Sequence, residues 1–170
     1  GAWLAGASRA AARDPGSTDV KAALMQLSDA SAQLKALQKN WEQYTVIDAE
    51  GRAGDVDAAR RILGGVNPQN AANPSPLYKI EGAFKAVRLA AVNAGGGEWG
   101  EDLDVEAFNE AGERISFSIQ KADFQFYGCA FAPGGSKQIR ELYASAREFV
   151  DRAVVDFDEV MSLLKEAKMA

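Results

Sequence analysis

Five groups of residues have types and spacings that could do chemistry. Gly95-Gly96-Gly97-Glu98-Trp99-Gly100 matches the Gly-x-Gly-x-x-Gly spacing that lets backbone amides approach a pyrophosphate. That fingerprint works only between a strand and a helix. Here it follows a helical pattern, and Glu98, Glu101, Asp102 and Asp104 would repel phosphate, so it is read as a loop. Ser118 and Lys121 have the spacing of a serine nucleophile and its lysine, but no second serine or lysine motif completes an acyl-transfer site. The acids between Glu98 and Glu106 could attract calcium. They lack the glycine and the regular oxygen spacing of a calcium loop, and are read as cap and surface acids. Cys129 has no nearby base and is read as a packed thiol. The aromatic group Phe117, Phe124, Phe126, Tyr127 and Phe131 is read as core, with a surplus off the main stripe that could form a contact patch.

The composition narrows the choice further. The chain has 170 residues, no histidine, one cysteine and a formal net charge of −5. Without histidine it lacks the commonest general base and zinc ligand, and the one side chain that normally titrates between pH 5 and 8. One cysteine cannot form an internal disulfide, so stability must come from packing. The acidic balance argues against nucleic acid as a partner. No apolar run approaches the ~20 residues of a membrane-spanning helix. No cofactor or metal is expected, and the chain is read as non-enzymatic. A hydrolase or lyase built on a buried carboxylate pair is the catalytic alternative.

The elements that would position these residues follow from hydrophobic spacing. Val20, Leu24, Leu27, Ser31, Leu34, Gln38 and Trp41 recur at three and four, after the cap candidates Ser17, Thr18 and Asp19. Asp55 is placed to cap a short helix that Gly64-Gly65 ends. Ser75-Pro76 places a cap and a first-turn proline before Leu77, Ile80, Phe84, Val87 and Ala91. Asp104 caps a stripe from Val105 to Phe126, and Ser136 caps one from Ile139 to Leu164. The expected helices therefore cover about 18–47, 76–93, 104–127 and 136–167, with a short turn near 55–63. Leu27, Leu34, Ile80, Phe84, Phe108, Ile115, Ile119, Val150 and Phe157 should share one core. The expected fold is all-α. It is an up-down-up-down four-helix bundle over 18–170, with an extra short helix in the first long connection. An extended N-terminal tail covers 1–17. The tail is alanine-rich with arginines, and reads equally as the remnant of a targeting region or as a plain tail. Trp3 and Leu4 in it suggest an apolar anchor.

The connection between the first two long helices carries a resemblance. Asn40-Trp41, Gly54-Asp55, Arg60-Arg61, Leu63-Gly64, Ser75-Pro76-Leu77 and Ile80 resemble the PsbQ-like extrinsic proteins of photosystem II, especially the red-lineage algal forms. The likeness covers roughly residues 18–168, continuing less sharply from Ala122 to Phe131. The loop from Asn67 to Asn73 and Cys129 depart from the pattern. The resemblance implies an imported four-helix bundle in the chloroplast thylakoid lumen, peripheral on the membrane. It would support and shield the oxygen-evolving centre, with the photosystem core and neighbouring extrinsic or antenna subunits as partners. A structural or antenna-linking subunit of photosystem I, and a helical-bundle carrier of a lipid or pigment, are the alternatives. The expected docking residues are Arg60, Arg61, Lys79, Lys85 and Arg88 around the connection, with Trp3 and Leu4 as anchors. Reversing Arg60 and Arg61 should then leave thermal stability almost unchanged.

Overall fold

The computed structural model describes residues 19–66, 74–93 and 102–169. Trp3, Leu4, the tail, the Asn67–Asn73 loop and the Gly95–Gly100 motif lie outside the described residues. Among the described residues every regular element is a helix, and the only strand-like pairing is an isolated bridge between Ile47 and Ala53.

Helix α1 spans Val20–Lys39, and Asp19 caps it by accepting the Ala22 N–H at 3.2 Å. The expected single helix to residue 47 is corrected at Asn40. Both the backbone N–H and the side-chain amide of Asn40 donate to Ala36 O at 3.0 Å. This local competition for one carbonyl breaks the ladder. A four-residue α2 follows, Trp41–Tyr44. Asp55 caps α3, Val56–Leu63, and Gly64 ends it at φ +78. Only glycine suits that position. Its conformation is left-handed, and a Cβ there would stand 2.6 Å from the Tyr78 nitrogen.

Helix α4, Glu81–Val92, begins five residues later than expected from Pro76. Lys79 has φ +48, so residues 76–80 form turns rather than helix. Ser75 caps the turn instead, accepting the Leu77 N–H at 3.1 Å. Two glutamines of α1 hold this stretch: Gln26 donates to Pro76 O at 2.9 Å and Gln33 to Ser75 Oγ at 3.1 Å. Helix α5, Val105–Cys129, is capped by Asp104 as expected and passes through Gly128 without breaking. Helix α6, Gly135–Glu166, starts at a Gly134 cap rather than at Ser136, and Gln138 reaches back to accept the Gly134 N–H at 2.7 Å.

Helices α1, α4, α5 and α6 pack in a ring in which each touches two neighbours, and α3 lies against α5 and α1. The α5–α6 pair packs most extensively and runs antiparallel, since Arg114 meets Asp156 and Glu159 while Gly128 lies beneath Leu142. Lys35–Asp158 at 2.6 Å and Gln38–Asp151 at 2.8 Å set α1 antiparallel to α6. The Arg88–Asn109 contact and the close approach of Phe84 to Gly112 do the same for α4 and α5. All nine expected core residues are buried in one cluster. Phe84 stands 5.5 Å from Phe108 and 6.4 Å from Phe157, centroid to centroid. Burying one such side chain stabilises the fold by about 1.5–3 kcal/mol.

Candidate docking surface

The connection and α4 rest on the outward flank of α5, and this seam positions most of the expected docking charges. An open groove of 480 Å³ between α4 and α5 takes in Lys85, Arg88 and Phe117. It continues past Glu81, Ser116 and Gln120 into a smaller one of 180 Å³ that takes in Lys79 and Gly64. Arg88 donates to the neutral Asn109 carbonyl at 3.1 Å, so its charge is retained. Lys79 is exposed on its left-handed turn with its ammonium 5.4 Å from the Tyr78 ring centroid. Lys85 projects from the exposed face of α4. Neither lysine has an ion-pair partner among the described residues. Glu81 and Glu113 also line the seam and are exposed, so it is mixed in sign.

Arg60 and Arg61 do not behave as a pair of surface charges, which corrects the expectation for Arg60. Its guanidinium meets the Asp123 carboxylate at 2.9 and 3.4 Å and stacks 4.8 Å from the Tyr127 ring centroid. Asp57 adds a third contact at 3.8 Å, and the side chain is 18% exposed. Such a fork-on-carboxylate contact clamps α3 onto α5. The clamp is tight enough that a Cβ on Gly65 would collide with the Asp123 carboxylate. Arg61 is 59% exposed, and among the described residues its one ion pair is with Asp55, at 3.6 Å. Sequence reading saw the two arginines and missed Asp123, whose only signal is an acid half-embedded in an apolar helix face 63 residues on.

The residues that looked chemical are dispersed. Ser118 is buried, whereas Lys121 is exposed with its ammonium over the Phe117 ring at 5.4 Å. Cys129 is 3% exposed, and burial pushes its thiol up to about 11. Its Sγ–H donates to Gln125 O at 3.4 Å, so the thiolate is disfavoured. Burial likewise lifts the Tyr143 phenol to about 12, and its hydroxyl donates to Val46 O at 2.9 Å. Asp104 serves as a cap, and no three His, Cys, Asp or Glu side chains gather into a metal-binding group among the described residues. The aromatic surplus does reach the surface: Phe117, Phe124, Tyr127 and Phe131 are exposed, while Phe126 is fully buried.

No helix among the described residues is long and apolar enough to cross a membrane. Compared with family models, with curated proteins and with solved structures, the chain matches none of them.

Proposed function

We propose that this chain is an up-down-up-down four-helix bundle that acts by docking, as a non-catalytic extrinsic subunit held peripherally on the lumenal side of photosystem II. The observation that carries the reading is the seam along α4, where Lys79, Lys85 and Arg88 stand with no carboxylate of the described residues bound to them. A protein attached without a spanning helix must be held by such surface contacts. The antiparallel neighbours in the four-helix ring support the bundle assignment. Several letters that carry the resemblance also shape the connection behind the seam: Asn40 breaks α1, Asp55 caps α3, Gly64 turns the chain and Ser75 caps the next turn. The carrier reading has less support, because Phe84, Phe108 and Phe157 fill the space between the helices that a carried lipid would need.

The test is rebinding to photosystem II membranes stripped of their extrinsic proteins. Lys79→Glu, Lys85→Glu and Arg88→Glu together should weaken low-salt rebinding about tenfold or more, while the melting curve stays within a few degrees of the parent. Raising salt should release the parent protein, since exposed charges are screened within ~10 Å at 0.1 M. Normal rebinding of the triple variant would remove this seam as the docking face. Selective binding to photosystem I membranes would move the protein to that host.

A further inference from the structure

On the α6 side of α5 lies a second open groove, of 830 Å³, a volume within the range of small-ligand sites. Phe117 and Val155, 54% and 67% exposed, give it an apolar lining, and Phe149 braces the Phe117 ring edge-on at 6.3 Å. Ser118 also lines the groove. It is 4% exposed, and its hydroxyl has no hydrogen-bond partner among the described residues. A buried hydroxyl without a partner costs stability, and alanine would occupy the same place in the helix without that cost. The groove is where a partner for it can come from.

Half of the charges that line the groove are already committed. Arg114 is bound by Asp156 at 3.1 Å and by Glu159 at 2.8 Å, and Asp151 accepts the Gln38 amide at 2.8 Å. Glu110, Glu113 and Arg152 are exposed and form no ion pair among the described residues; Glu148, one turn from Arg152, does not reach it. Register separates the free acids from the free base. Because Arg114 meets Asp156 in an antiparallel pair, Arg152 lies level with Ser118. Glu113 and Glu110 then stand roughly 8 and 12 Å along the axis from it, at about 1.5 Å per residue. Lys121 adds a second cation near the Arg152 end, with its ammonium 5.4 Å from the Phe117 centroid. From this we infer that the α5–α6 groove binds a short apolar peptide by its two free ends. The amino terminus meets Glu110 and Glu113, and the carboxylate meets Arg152. Apolar side chains lie on Phe117 and Val155, and Ser118 bonds a peptide group between the ends. Three extended residues span roughly 10 Å, which fits this separation. A simple anion or cation would engage one end alone. Glu113 and Phe117 also border the docking seam, but Glu110, Ser118, Arg152 and Val155 do not, so variants at these positions test the groove apart from the docking proposal.

The experiment is an amide NMR titration of the full chain at low salt with the tripeptide Leu-Ala-Leu, up to about 5 mM. The parent should bind it with shifts centred on the groove. Acetylating the peptide's amino terminus, or amidating its carboxylate, should each weaken binding about tenfold. Arg152→Gln should weaken the free peptide by a similar factor yet leave the amidated one within about two-fold, since that peptide has no carboxylate to lose. Glu110→Gln should act in the same way on the free and the acetylated peptides. Ser118→Ala should weaken all of them a few-fold while the melting temperature holds or rises, which a merely structural serine would not do. No binding up to the highest concentration overturns the inference. So does equal binding of free and doubly capped peptides, which would make the groove a path for a partner's internal chain. Binding that ignores both Arg152→Gln and Ser118→Ala overturns it as well.

Discussion

The two faces of α5 hold the same kind of residue in opposite circumstances. Inward, Phe108 and Phe126 are completely buried, with Trp41 and Tyr143 centroids 5.5 and 5.9 Å from Phe126. Outward, Phe124 is 65% exposed only two residues away. Two residues are 200° on a helix, so the chain turns one ring into the core and leaves the other to solvent. The difference teaches that aromatic content alone says nothing about role here. Position around the helix divides the aromatics into those that hold the fold and those available for contact.

Three comparisons would break or sharpen that division. The largest effect should come from Phe126→Ala, which should cost about 3–5 kcal/mol in denaturant unfolding because the site is enclosed by other rings. Phe124→Ala in the same assay should stay within about 0.5 kcal/mol of the parent. Equal losses would erase the distinction between the faces. A smaller contrast applies to the neighbouring arginines. Arg60→Glu faces the Asp123 carboxylate and should cost about 2–3 kcal/mol, by loss of a partly buried pair and new repulsion. Arg61→Glu should change stability by less than about 0.5 kcal/mol. If both are neutral, the α3 clamp contributes nothing.

The smallest effect concerns pH. Cys129 rises by burial from an ordinary 9.0 to about 11, and Tyr143 from 10.0 to about 12. Because the folded state holds these protons more tightly, their contribution is fully present below the unfolded values. It falls away as the pH climbs through about 9–11 for Cys129 and 10–12 for Tyr143. Each group should lose on the order of 1–2 kcal/mol over its window. Melting temperature should then decline at alkaline pH, and Cys129→Ala should flatten the first part of that decline. An unchanged profile in the variant would show that the thiol takes no part.

Much of the fold was legible because it rests on local signals. Asp19, Asp55 and Asp104 cap the helices they precede, and the apolar stripes place all nine core residues inside. What was not legible depends on partners distant in sequence or on a single dihedral. Nothing in the letters around Lys79 announces a left-handed residue, so the spacing alone places the start of α4 at Pro76. Asn40 fits a helical register by spacing, yet its side chain competes for the Ala36 carbonyl and ends α1. The docking charges divided in the same way. Lys79, Lys85 and Arg88 were legible as a local basic cluster, but Arg60 finds its acid on another helix.

The short turn between α5 and α6 has a consequence for the order of events in folding. Two long helices joined by five residues, 130–134, meet at little entropic expense and can form a hairpin early. Helix α1 is placed otherwise, because the residues it holds on α6 lie far along the chain: Lys35 and Asp158 are 123 positions apart, and Gln38 and Asp151 are 113 apart. On a ribosome α1 emerges before α6, and the apolar stripe of Leu27 and Leu34 has no α6 to lie against until that helix too has been made. The earliest-made helix of the ring is thus the last to be closed into it, and until then its leucines are the segment of the ring most in need of protection from other chains.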